Sequence, residues 1–78
     1  MDIDNLVRMA NRIGEFFAVM PDAQEAQDGI AGHLQRFWEP RMRREIVAHV
    51  DRGGAGLSEI VRQAIASNRD RLLPAQTR

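Results

Sequence analysis

The chain has 78 residues, no cysteine and a net charge of zero. A chain this short buries only about 60% of the surface that it exposes when unfolded, so it has room for one domain with a small, marginally stable core. The lack of cysteine excludes disulfides, thiolate metal sites and thiol catalysis. The acidic N-terminus is unlike a signal peptide, and no apolar run approaches the roughly 18 residues of a membrane span. We therefore expect a cytoplasmic protein.

The two parts of the chain carry opposite charge. Residues 1–28 contain six acidic residues and two arginines, whereas residues 29–78 contain nine arginines and five acidic residues. All eleven cations are arginine. This usage reflects either a GC-rich genome or a need for planar, bidentate contacts to carboxylates and phosphates.

The first predicted helix covers about 4–20. Asp4 is placed to cap its N-terminus, and Pro21 follows its last apolar residue. The helical spacing of apolar residues gives an expected inner face of Leu6, Met9, Ala10, Ile13, Phe16, Phe17 and Met20.

The second predicted helix covers about 22–38. Asp22 is its expected cap, with Glu25 three residues on as in a capping box. Gly29 and Gly32 each cost roughly 1 kcal/mol of helix propensity, and their small size permits close approach of another backbone. Its expected inner face comprises Ala23, Ala26, Ile30, His33, Leu34 and Phe37, with Trp38 on the flank.

Two further helices are predicted, at about 40–52 and 58–72. Pro40 disfavours a helical Glu39 and suits the first position of the third helix, whose expected inward residues are Met42, Ile46, His49 and Val50. Glycines at 53, 54 and 56 end that helix, and Ser58 caps the fourth. The fold class is thus all-α, a small single domain of about four short helices over 1–73, followed by a flexible tail at 74–78.

No catalytic or metal site is expected. His33 and His49 are the only histidines, and a metal site needs three or four ligands at defined spacing. Ser58 lies where a helix cap belongs and has no base beside it. The glycines before it lack the preceding strand and following lysine of a phosphate-binding loop. The chain is therefore not expected to be an enzyme.

The strongest candidate binding segment surrounds the helix break at Pro40. Tryptophan and arginine are the residues most enriched at binding hot spots. We expect Phe37 to fill the core, and we weigh two roles for Trp38, which either joins the core or anchors a partner. The candidate partner-binding residues are Arg36, Trp38, Pro40, Arg41, Arg43 and Arg44.

A small helical nucleic-acid-binding regulator is the alternative reading of the same segment. Arg41, Arg43, Arg44 and Arg52 on the third helix have the character of a recognition helix. Two observations argue against nucleic-acid binding. The net charge is zero, and Glu39-Pro40 is unlike the glycine turn of a helix-turn-helix motif. We expect no nucleic acid and no membrane partner.

Three blocks of sequence carry a family resemblance that covers nearly the whole chain. They are Leu6-Val7-Arg8-Met9-Ala10-Asn11 with Ile13, Phe16-Phe17 and Pro21; Ala31-x-His33-Leu34-x-x-Phe37-Trp38-x-Pro40-Arg41-Met42-Arg43; and Gly53-Gly54-x-Gly56-Leu57. In order and spacing they resemble the delta subunit of cytoplasmic, molybdenum-containing, NAD-dependent formate dehydrogenase.

The resemblance implies an accessory subunit and places the redox cofactors on other chains. In that family, formate is oxidised at a bis-molybdopterin guanine dinucleotide on the alpha subunit. Electrons then pass through iron–sulfur clusters to FMN and NAD on the other subunits. The implied partner is the alpha subunit, within a complex with beta and gamma subunits, and the implied role is assembly, cofactor maturation or stability. A transient chaperone that holds the guanine dinucleotide cofactor or the apo alpha subunit remains an alternative.

Overall fold

In the computed structural model, which describes residues 2–73, the chain forms five helices and the described residues include no strand. The all-α prediction is confirmed. The tail predicted at 74–78 lies outside the described residues. The helices are α1 (Ile3–Phe17), α2 (Ala23–Phe37), α3 (Pro40–Asp51), α4 (Glu59–Ser67) and α5 (Arg69–Leu72).

Helix α1 begins earlier and ends earlier than predicted. Asp2, not Asp4, is the N-cap, and its Oδ1 accepts a hydrogen bond from the Asp4 N–H at 3.1 Å. The helix ends at Phe17, where the N–H of Met20 donates to the Phe17 carbonyl at 3.1 Å and forms a turn. Pro21 explains the early end, because proline has no N–H that could donate to the carbonyl of Phe17, four residues before it.

Helices α2 and α3 begin where the sequence predicts. Asp22 caps α2, with its Oδ1 accepting from the Gln24 N–H at 2.9 Å, and Pro40 is the first residue of α3. At the end of α3, the Gly53 N–H donates to the carbonyl of residue 50 and the Gly54 N–H to that of residue 49, both at 2.9 Å. This pair of bonds is a Schellman motif, which favours positive φ at the residue after the C-cap, here Gly53.

The glycine turn is tied to α1 by one side chain. Asn11 Nδ2 donates to the Gly56 carbonyl, and Asn11 Oδ1 accepts from the Ser58 N–H, both at 2.9 Å. Ser58 is the N-cap of α4 as predicted, although its side chain makes no cap hydrogen bond with the described residues. The Asn11 side chain therefore stabilises the turn, in addition to the conformations that its glycines allow.

The predicted fourth helix is two helices in the structure. The chain breaks at Asn68, whose φ of −122° lies outside the helical range and whose Nδ2 donates to the Ala64 carbonyl at 2.8 Å. Asparagine side chains compete in this way with backbone hydrogen bonding. The short α5 is attached to α3 by a bidentate pair, in which Arg69 donates to both oxygens of Asp51 at 2.8 and 3.1 Å.

The core draws residues from all five helices. Helix α2 packs against α1, α4 and α5, α1 and α4 also contact each other, and α3 packs against α1, α4 and α5. The close approach of α1 to α4 depends on Gly14, since a Cβ there would overlap a methyl group of Val61. None of the helices in residues 2–73 combines the length and the apolar character that a bilayer crossing needs. The core cluster is Leu6, Ala10, Ile30, Leu34, Trp38, Ile46, Val47, Val61, Ala64, Ile65 and Leu72.

Candidate docking surface

The two aromatic residues at the end of α2 have exchanged the places expected for them. Trp38 is in the core and only 6% exposed, whereas Phe37 is 68% exposed. Spacing along α2 does not explain the difference, because Phe37 lies three residues after the buried Leu34 and Trp38 lies four, so both positions border the buried row. The predicted placements of Phe37 in the core and of Trp38 on the flank are both wrong.

The predicted partner-binding arginines divide into two kinds. Arg36, Arg41 and Arg44 are exposed, and none of them makes an ion pair within residues 2–73. Arg43 is half-buried and folds back across the helix break, where its Nη1 donates to the Gln35 carbonyl at 2.8 Å. Arg43 therefore stabilises the junction of α2 and α3. Pro40 is exposed at the start of α3.

A row of aromatic rings lies on the surface where α1 and α2 pack together. The rings of Phe16 and Phe17 are 5.1 Å apart and perpendicular, and the ring of His33 lies 6.5 Å from Phe17 and 4.8 Å from Phe37. Phe16 is 73% exposed, although its spacing predicts an inward position. We call Phe16, Phe17, His33 and Phe37 the aromatic row.

The exposure of Phe16 follows from the width of the apolar face of α1. The buried residues of α1 are Leu6, Ala10 and Gly14, a narrow line that leaves no room for every apolar residue of the helix. Met9, at 36% exposure, lies on the same side as Phe16. The signal for this surface was present in the sequence, because seven apolar positions on one helix exceed what one face of a small bundle can bury.

Two grooves run along the aromatic row. One, of about 310 Å³, is lined by Arg12, Ile13, Phe16, Phe17 and His33. The other, of about 400 Å³, continues past Phe17 and His33 to Gly32, Arg36 and Phe37. The two grooves share Phe17 and His33 and lie side by side across α1 and α2, and we call them together the depression.

The charge along this depression is positive. Arg12 and Arg36 line it and make no ion pair within the described residues, whereas Arg71 is paired with Asp28 at 2.6 Å. A surface that combines phenylalanine rings with arginines favours a ligand that carries both apolar and carboxylate groups.

The histidines and the ion pairs of the described residues lie in separate places. No group of three histidine, cysteine or acidic side chains is close enough to hold a metal within residues 2–73. His33 belongs to the aromatic row, whereas the Nε2 of His49 is hydrogen-bonded to the Ala55 carbonyl at 2.8 Å. A hydrogen bond from Arg62 lowers the pKa of Glu59, and one with Asp51 raises the pKa of Arg69. Both pairs are exposed and are typical of surface ion pairs.

A known protein family matches most of the chain. The family model described as NADH-dependent formate dehydrogenase delta subunit FdsD matches residues 5–65. No curated protein and no solved structure matches the chain significantly. The matched range contains the whole aromatic row, the break at Pro40 and the glycine turn.

Proposed function

The chain belongs to the delta-subunit family of NADH-dependent formate dehydrogenase, and on this premise we propose that it is a non-catalytic accessory subunit that docks on the molybdenum-containing alpha subunit. There it supports assembly, cofactor maturation or stability. The observation that carries the proposal is the family match over residues 5–65 of a 78-residue chain. Membership of this family implies association with the formate dehydrogenase complex.

The chemistry of the side chains supports a role without a cofactor on this chain. Iron–sulfur clusters are held mainly by cysteine thiolates, and the sequence has none. Within residues 2–73 no polar or charged residue is in the core, which supports the same proposal, because strongly perturbed catalytic groups are usually removed from water. We place bis-molybdopterin guanine dinucleotide, the iron–sulfur clusters and FMN on the partner subunits.

The surface of the chain supports a protein partner. Arg36, Arg41 and Arg44 project as exposed guanidinium groups around the junction of α2 and α3, and arginine forms planar, bidentate contacts with carboxylates. A helical domain of this size also gains stability by burying apolar surface against another subunit. Arg43, by contrast, is committed to the Gln35 carbonyl, which leaves α3 a poorer recognition helix for nucleic acid.

The test is to produce the formate dehydrogenase complex with and without this chain. An accessory subunit changes how many active sites are competent, not how each site binds formate. We therefore expect a lower molybdenum content and lower total activity without the chain, but an unchanged KM for formate and unchanged turnover per molybdenum. Full molybdenum loading with a changed KM would contradict the proposal and indicate direct participation in the active site.

The stoichiometry of the purified complex separates a permanent subunit from a transient chaperone. A permanent subunit is recovered in amounts equal to the alpha subunit through successive purification steps. A chaperone is recovered with the apo alpha subunit and is lost from the enzyme loaded with molybdenum. We propose the permanent subunit, because Phe16 and Phe37 are exposed in the isolated chain. A partner shields such apolar side chains from water only as long as it stays bound.

A further inference from the structure

We propose that the aromatic row, with Arg12 and Arg36 on its sides, binds an acidic amphipathic segment of the alpha subunit. The inference rests on the proposed function and adds to it the location of the docking site and the chemistry of its occupant. It moves the centre of docking from Trp38 to the surface shared by α1 and α2.

The apolar part of the argument is the exposure of Phe16 and Phe37. These side chains are 73% and 68% exposed, so the two rings together present about 300 Å² of apolar surface to solvent. Apolar patches of this size on a monomer are often functional. The patch is well below the roughly 800 Å² per partner of a standard interface, so it suits one inserted segment flanked by polar contacts.

The shape of the surface is preformed. Gly29 lies directly under the ring of Phe17, and a Cβ at this glycine would stand only 2.5 Å from the ring. The ring is therefore seated on the backbone of α2, where it separates Phe16 from His33 and forms the boundary common to both grooves. A preformed groove lowers the entropic cost of binding, because few side chains need to be ordered.

The charge of the surface selects the occupant. Arg12 and Arg36 line the two grooves without an ion pair inside residues 2–73. In a two-fold symmetric pair of identical chains, this net positive patch would face a patch of the same net charge. An acidic segment of a different chain instead places carboxylates against Arg12 and Arg36. The charge therefore favours the alpha subunit over a second copy of this chain.

The test measures binding of the full-length chain to the purified alpha subunit. For the variant carrying both Phe16→Ala and Phe37→Ala, we expect Kd to rise about 30-fold or more, as for loss of a hot spot. Val19→Ala is the matched control, because Val19 is 83% exposed and lines neither groove. We expect this control to bind as the wild type does.

Charge reversal provides a second, independent variant. Arg12→Glu with Arg36→Glu is expected to weaken binding at low salt by at least about tenfold, and added salt should no longer weaken binding further, because it now screens a repulsion. Arg8→Glu with Arg52→Glu is the control, with the same change of charge outside the two grooves. All four arginines are exposed, so this comparison holds even if the double phenylalanine variant folds poorly.

The outcomes distinguish the docking site from the proposed function. If the wild-type chain does not bind the alpha subunit, both fail. If the wild type binds and neither double variant is weakened relative to its control, the aromatic row is not the site, and the proposed function stands. Loss of self-association in the phenylalanine variant with unchanged binding to the alpha subunit would show that a second copy covers the row, and would overturn the inference.

Discussion

Alanine substitutions at Trp38 and at its neighbour Phe37 are expected to have different effects: Trp38→Ala should impair folding, whereas Phe37→Ala should impair docking. Trp38 is 6% exposed, and burial of roughly 200 Å² of indole at about 25 cal/mol per Å² contributes up to about 5 kcal/mol. Measured core substitutions of this kind cost about 3–5 kcal/mol. Phe37 buries only about a third of its side chain, so the same arithmetic gives about 1 kcal/mol for Phe37→Ala.

The consequence for Trp38→Ala is severe in so small a domain. A chain of this length has a total unfolding free energy of about 4–12 kcal/mol, and 1 kcal/mol corresponds to about 4–8 °C in Tm. We expect Trp38→Ala to lower Tm by more than about 12 °C or to abolish the transition, and Phe37→Ala to lower it by less than about 8 °C.

The measurement is urea and thermal unfolding of the full-length chain, followed by circular dichroism at 222 nm. Trp38→Phe is the control, since it keeps an aromatic ring in the core and is expected to retain much of the stability. If Trp38→Ala proved as stable as Phe37→Ala, the indole would not belong to the core. The assignment of Trp38 to the core and of Phe37 to the surface would then be wrong.

Three further substitutions test the packing by the same unfolding measurements. Gly14→Ala is expected to destabilise the chain by about 1–2 kcal/mol, because overlap with Val61 outweighs the gain in helix propensity; equal or higher stability would refute the close approach of α1 and α4. Gly32→Ala is expected to stabilise by about 0.5–1 kcal/mol, since the nearest atom to its Cβ belongs to a flexible arginine at 3.4 Å; a loss would indicate unseen crowding there. Asn11→Ala removes both bonds to the glycine turn and is expected to cost about 1–2 kcal/mol. Asn5→Ala, whose hydrogen bonds are local, should change stability by less than about 0.5 kcal/mol and is the control.

The positions of the helices were predictable from the sequence, because residues that cap or end a helix act locally. Asp22, Pro40 and the glycines after α3 set helix ends wherever the rest of the chain lies. The break at Asn68 was missed because asparagine occurs inside helices as well as at their ends. Only the bond to the Ala64 carbonyl distinguishes the two cases.

The orientation of each helix was less predictable, because it depends on what covers the helix. In α2 the row that faces the core includes Ala31 and Trp38 rather than His33 and Phe37, a rotation of a fraction of a turn. Spacing alone permits both orientations, and α1 and α4 decide between them. At the end of α2, the sequence therefore did not indicate which of the two aromatic residues is exposed, and the partner-binding residues named there stay a prediction.

Because Trp38 is buried and its neighbour Phe37 is exposed, tryptophan fluorescence reports the unfolding of the domain and not binding to the aromatic row. Trp38 is the sole tryptophan of the chain and lies in the core, so its emission shifts to longer wavelength when the domain unfolds and water reaches the indole. The aromatic row contains only phenylalanine and histidine, which do not contribute at the excitation wavelength of tryptophan. A tryptophan-free peptide that binds the aromatic row thus leaves the emission largely unchanged, while any loss of the core alters it.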